Sequence, residues 1–220
     1  MPALPRRRRF LAIALLAPSL AAPLAASGEP GAAAIDPWQA LSELRLHLAA
    51  SGDLTATFEQ SYVPAGFATG DVERGRLALA LPDCLRWDYD DPYPKSYLLC
   101  GVRLHAWVRG EPQGQRSIVH AEEETGLDLL LLPVTRLRER YRALASIADA
   151  GRIEIRLEPV AVDASLRDAT FLFDPASQRP AALSYRDRDG NLTRFVFGEF
   201  GLLDDPAIFT PPPTLEWKEP

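Results

Sequence analysis

Short stretches in which apolar and polar residues alternate recur along most of this chain. They constrain its fold more than any other feature. LTATFEQSYV (from Leu54), GRLALALP (from Gly75), CLRWDYD (from Cys84), KSYLLC (from Lys95), VRLHAWVRG (from Val102) and QRSIVHA (from Gln115) follow one another with turn residues between them. RIEIRLEP, RDATFLFDP and AALSYRDRDGNLTRFVFGEF resume the pattern from Arg152 onward. A period of two puts alternate side chains on opposite faces of a strand. Segments this short, joined by turns, predict an antiparallel sheet built from hairpins. Leu77, Leu79 and Leu81 share one face of their strand, while Ala78 and Ala80 take the other. RDGN (Arg188–Asn191) reads as a hairpin tip.

Two segments have helical character instead. In IDPWQALSELRLHLAASG, Asp36 suits the N-cap, Pro37 the first helical position and Gly52 the stop. Leu41, Leu44 and Leu48 recur on one face of that helix. TGLDLLLLPVTRLRERYRALASIADAG, from Thr125, places Leu137, Tyr141 and Leu144 at i, i+4 and i+7 with charges opposite. FTPPPTLEWKEP reads as an extended tail of polyproline character. The chain is expected to hold one helix, about five strands, a leucine-rich helical insert and about four more strands. A strongly bent sheet or open barrel with helices against one face fits that order. A tight helical cover makes the concave face a core; a loose one makes it an apolar cavity under a lid.

The two cysteines flank the proline-rich turn DPYP. Along CLRWDYD, Leu85, Trp87 and Tyr89 face one way and Cys84, Arg86 and Asp88 the other. A turn centred on Pro92 pairs residues whose numbers sum to 184, which sets Cys84 opposite Cys100. With no CxxC present, the pattern favours a structural disulfide over a redox pair, free thiols being the remaining alternative. Arg86 is expected either in an ion pair with an acidic neighbour or at a rim of the sheet.

Residues 1–27 carry Arg6–Arg9, then FLAIALLAPSLAAPLAA, then the small residues Ala25–Ser27. That is the order of a cleavable secretory signal; a membrane anchor is the alternative, and RRRFL also fits the twin-arginine form. Residues 28–35 read as a flexible N-terminus, 36–213 as one domain and 214–220 as a tail. Without the signal the chain carries 20 Lys and Arg against 30 Asp and Glu, a net charge of −10. Such a surface repels nucleic acid and anionic membrane. Export also places the cysteines in an oxidising compartment.

The order of these pieces resembles a known family. LTATFEQ after a first amphipathic helix is similar to the F-x-Q opening of the LolA-like periplasmic lipoprotein carriers. GRLALALPDCLRWDYDDP resembles their G-x-L-x-x-x-x-P-x-x-x-R-W-x-Y-x-x-P segment, and LLCGVRLHAW their strand–DG–strand turn, with Cys100 where an aspartate is usual. LEP, GNLTRFVFGEF and FTPPP resemble the closing hairpin and terminal F-x-P-P. The likeness spans roughly residues 36 to 213 and departs from the family at Leu81, where a basic residue is frequent, and over LDLLLLPVTRLRERYRALAS. The resemblance implies a mainly β fold: an unclosed antiparallel β-barrel with a helical lid over a hydrophobic cavity. It implies a periplasmic, monomeric carrier that takes acylated lipoproteins from an inner-membrane transporter to an outer-membrane receptor.

On that reading Leu77, Leu79, Leu85, Trp87, Tyr89, Leu104, Phe195 and Phe197 line the cavity, and Leu127, Leu129, Leu130, Leu131 and Leu132 form its lid. Arg86 stands as the candidate for the rim or for hand-off. A sixteen-carbon acyl chain opposes release into water by roughly 12 kcal/mol, so a shuttle must offer apolar surface without specific bonds. Alternating apolar strand residues serve an ordinary core equally well, and a one-residue slip in register reverses every face. Two further readings share the fold: a carrier of another lipid-like product, supported by Leu81 and the insert, and an envelope sensor that binds a protein partner and keeps its apolar face closed.

No catalytic pattern competes. G-x-S-x-G, H-E-x-x-H and phosphate-loop motifs are absent from the sequence, and a non-enzyme without cofactor is expected. His47, His105 and His120 are scattered, and the acidic run after His120 reads as a solvated strand end rather than a metal site.

Overall fold

A computed structural model describes residues 35–119, 129 and 132–219. The first helix, α1 (Pro37–Ala50), is capped by the Asp36 carboxylate, which accepts from the amides of Trp38 and Gln39 at 2.8 and 3.1 Å. It stops at Ser51, followed by Gly52 at φ +80°, a conformation that glycine alone adopts without strain. Ala40, Leu41, Leu44 and Leu48 are its buried face.

Six strands follow: β1 (Leu54–Val63), β2 (Asp71–Ala80), β3 (Cys84–Asp91), β4 (Lys95–Cys100), β5 (Arg103–Val108) and β6 (Gln113–Ile118). After the short helix α2 (Val134–Arg140) come β7 (Tyr141–Ile147), β8 (Ile153–Pro159), β9 (Leu166–Asp174), β10 (Arg179–Asp187) and β11 (Leu192–Phe197). β12 (Gly201–Leu202) pairs with β1, and β13 (Glu216–Lys218) lies near the C-terminus. Among the described residues all form one unclosed sheet in the order β13-β6-β5-β4-β3-β2-β1-β11-β10-β9-β8-β7. Every pairing is antiparallel except that of β13 with β6.

The expected hairpins form in the expected register. Cys84 pairs with Cys100 and Tyr89 with Lys95 across β3 and β4, and the two cysteines are bonded. The turn after Asp187 closes with the Asp187 amide donating to the Asn191 carbonyl at 3.1 Å.

Two expectations on the second half are corrected. The helix assigned through Tyr141 and Leu144 ends at Arg140, and Tyr141–Ile147 is strand β7. Alternation wins there: Tyr141, Ala143 and Ala145 pack on the core while Leu144 is 66 % exposed. Pairing along all seven residues with β8 supplies the hydrogen bonds that a lone helical turn could not. Residues 214–220, expected as a tail, include β13.

The core lies on the concave face. α1, Leu129 and Leu137 of α2 pack on Leu54, Phe58, Leu77, Leu79, Leu85, Ile155, Leu157, Phe171, Phe173 and Leu183. A leucine taken fully out of water contributes about 2 kcal/mol, so this layer dominates stability. The convex side of β3–β6 has a separate backing. Asp88 accepts from the Arg86 guanidinium at 2.9 Å and the Ser96 hydroxyl at 2.6 Å, and Arg86 also donates to the Ile208 carbonyl at 2.6 Å. Trp217 of β13 packs edge-on against His105 and Trp107, with ring centres 4.8 and 5.9 Å apart. Its ring fills the place of a side chain at Gly114, where any Cβ would collide with the indole.

Candidate functional site

The concave face divides into a filled part and an open part. Where α1 crosses the sheet, Leu41, Leu44 and Leu48 meet Leu77, Leu79, Phe171 and Phe197, and Leu129 closes over them. The gap left is about 20 Å³, room for one water at most. Arg45 lies on the same helical stripe, its guanidinium donating to the Leu129 carbonyl at 2.6 Å. Burial lowers its pKa to about 10. This contact ties α1 to the leucine-rich segment.

Further along the strands the face opens. Trp87, Tyr89, Tyr97, Leu104, Tyr185 and Phe195 line a pocket of about 310 Å³, with Gln60, Glu73 and Lys95 among them. Its floor is aromatic: Phe58 meets Tyr89 edge-on at 5.0 Å and lies 5.9 Å from Phe195. Two polar pairs lie in the pocket. The Tyr89 hydroxyl donates to Gln60, and the Lys95 ammonium donates to Glu73 at 2.7 Å. Burial, with the Glu73 charge second, raises the Tyr89 pKa, so its phenol stays neutral and donating. Through Lys95 and Tyr97 the pocket runs into a groove of about 490 Å³ over Ala106, Val108, Gln113, Gln115 and Lys218.

The cavity residues named from the sequence separate along this division. Trp87, Tyr89, Leu104 and Phe195 line the open pocket. Leu77, Leu79 and Phe197 line the narrow gap under α1, and Leu85 is fully buried in the core. Of the lid residues, Leu129 is fully buried over the gap and Leu132 packs partly on the core, whereas Leu127, Leu130 and Leu131 lie outside the described residues. So do the N-terminal signal and His120. Arg86, the candidate for the rim, lines neither the gap, the pocket nor the groove: alternation turns it to the convex face, into its ion pair with Asp88. Leu81 lines the narrow gap.

Sequence reasoning missed Arg45, Glu73 and Lys95. Signals for all three were present. Arg45 interrupts the stripe of Leu41 and Leu48, Glu73 shares the parity of Leu77 and Leu79, and Lys95 shares that of Tyr97 and Leu99. Among the described residues no cluster of His, Cys, Asp and Glu is placed to hold a metal ion, and no helix is long and apolar enough to cross a membrane.

A half-barrel with an apolar concave face and helices over part of it matches the architecture expected from the resemblance. The family model described as "Outer membrane lipoprotein carrier protein LolA" matches residues 50–207. The chain belongs to the LolA family. One LolA relative, an "Outer-membrane lipoprotein carrier protein" from Xylella fastidiosa (strain 9a5c), is 28 % identical over 148 residues, 66 % of this chain and 69 % of that one. An uncharacterized conserved protein from Thermus thermophilus shares the fold, with a TM-score of 0.54 and 11 % identity over 83 % of this chain and 98 % of its own. A LolA superfamily protein from Nitrosomonas europaea aligns with a TM-score of 0.43 and 12 % identity over 79 % and 97 % of the two chains.

Proposed function

We propose that this LolA family member is a non-catalytic periplasmic carrier. It shields the acyl chains of a lipoprotein, or of a related amphiphile, as they pass from the inner to the outer membrane. The observation that carries the reading is the aromatic pocket of about 310 Å³ left open beside the part of the concave face that is filled under α1. That volume is at the low end for a ligand site, and its aromatic walls offer dispersion and apolar surface beside the Glu73–Lys95 pair. Loading a longer chain requires the narrow gap under α1 to widen. The Arg45–Leu129 contact is the tie that must then give. The donor is an inner-membrane release transporter and the acceptor an outer-membrane receptor; the carrier works as a monomer and has no role with nucleic acid.

Mass spectrometry of the protein purified gently from the periplasm, before and after organic extraction, tests the reading. Acylated lipoprotein at near-stoichiometric amounts is the expected result. A different lipid-like molecule would keep carriage and change the cargo, an outcome favoured by the Glu73–Lys95 pair inside the pocket. Empty protein that also refuses a fluorescent acyl probe would overturn carriage.

A further inference from the structure

The outer groove differs in charge from the rest of the protein. The chain without its signal carries a net charge of −10, yet the groove over β4–β6 is lined by two lysines, Lys95 and Lys218, and by no carboxylate. Lys218 is exposed on β13, in register with Gln115, and among the described residues it forms no ion pair. Glu216 shares its face but accepts from Gln113 and does not line the groove. Lys95 stands where groove and aromatic pocket meet, its ammonium 2.7 Å from Glu73 and 4.7 Å from the Tyr89 ring centre. An ammonium has three donors, and Glu73 takes one. Counting Glu73, the continuous site carries a net positive charge. A cleft of one sign concentrates ligands of the other, and more so where its walls exclude water.

We propose that the amphiphile carried here has an anionic head, a carboxylate or a phosphate. Lys95, where groove and pocket meet, holds the head while its chain lies on Trp87, Tyr89 and Phe195, and Lys218 adds its charge to the groove. The proposal rests on the carrier reading and names the class of cargo. The driving forces divide by place: the chain supplies affinity on the aromatic floor, and the head supplies selectivity in the groove.

The test is displacement of a fluorescent acyl probe from the full-length mature protein by hexadecanoate, hexadecyl phosphate and neutral monopalmitoylglycerol, each below its aggregation threshold. At least one anion is expected to bind about tenfold more tightly than the neutral ester, an advantage that salt diminishes. The tighter of the two tells a carboxylate head from a phosphate. Lys218→Gln should reduce the preference for anions over the neutral ester, and Glu73→Gln should raise it. A merely structural role would not move the two variants in opposite directions. Equal binding of anionic and neutral heads, or a preference that neither variant shifts, overturns the proposal and leaves carriage standing. If none of the three amphiphiles displaces the probe, the proposal is overturned; if the probe itself does not bind, carriage falls with it.

Discussion

One sheet with one alternating pattern yields two different concave surfaces. Under α1, leucines from helix and strand interdigitate until about 20 Å³ remains. Over β3–β6 the same inward parity lines a pocket of about 310 Å³ with Trp87 and Tyr89, themselves buried, and with the half-buried Tyr97 and Leu104. The difference lies in where each region takes its support. The filled part is held from inside by α1, Leu129 and Leu137. The open part is held from behind, by the Cys84–Cys100 bond, the Arg86–Asp88–Ser96 cluster and the C-terminal segment through Ile208 and Trp217. Convex backing lets the concave side of those strands stay uncovered without losing the sheet. Apolar surface can thus be kept available because stability is supplied elsewhere.

The largest effect should separate the two regions directly. Leu44→Ala removes a side chain that is 2 % exposed in the filled part and should cost about 4 kcal/mol through lost burial and an unfilled cavity. Leu104→Ala, at the partly exposed wall of the open pocket, should cost under about 1.5 kcal/mol yet weaken binding of an acyl probe. Urea denaturation of both variants, with probe titration of each, checks the pair. Equal stability losses would abolish the distinction between core and site.

Slightly smaller is the contribution of the covalent backing. Cys84 and Cys100 are 16 residues apart, and by the chain-entropy model their bond contributes about 3 kcal/mol. The Cys84→Ser/Cys100→Ser double variant should lose that stability, and its increased hydrogen exchange should concentrate in β3 and β4. Exchange rising equally in β8 and β9 would show that the open part has no support of its own.

How far the sequence reveals these regions follows from what each depends on. The faces of the β3 residues from Cys84 to Tyr89 and the Cys84–Cys100 register were legible, because a tight hairpin admits only one pairing that satisfies both the turn and the alternation. The α1 cap and stripe were legible for similar local reasons. β7 was not: Tyr141, Ala143 and Ala145 satisfy a period of two, while Leu137, Tyr141 and Leu144 satisfy a helical one. The available β8 edge decided between them. Nor was β13, three residues whose place depends on an indole meeting Gly114 across more than a hundred positions. The candidate site was half legible. Alternation names the inward side chains, but only the position of α1 determines that Leu77 and Phe197 border the narrow gap while Trp87 and Phe195 border the wider pocket.

The smallest expected effect bears on the backing from behind. His105 is 8 % exposed on the convex face, its Nδ1 has no hydrogen-bond partner among the described residues, and Trp217 packs on its ring. Burial first, then the charges of Arg103 and Arg116, hold its pKa below the ordinary histidine value. The folded protein therefore resists a proton that the unfolded chain accepts near pH 6.5, on the order of a free imidazole. With the folded pKa the lower, the contribution to stability is present above about pH 6.5 and is lost as pH falls through the folded value. The urea midpoint should drop between pH 7.5 and pH 5.5, roughly the interval in which only histidine titrates. His105→Leu should flatten the part of that drop that His105 causes. A drop of the same size in the variant would assign the pH response to other groups. If the slope does flatten, acid loosens the convex support of β5 and β6 while leaving the filled half under α1 intact, and the two surfaces of one sheet become separable by pH alone.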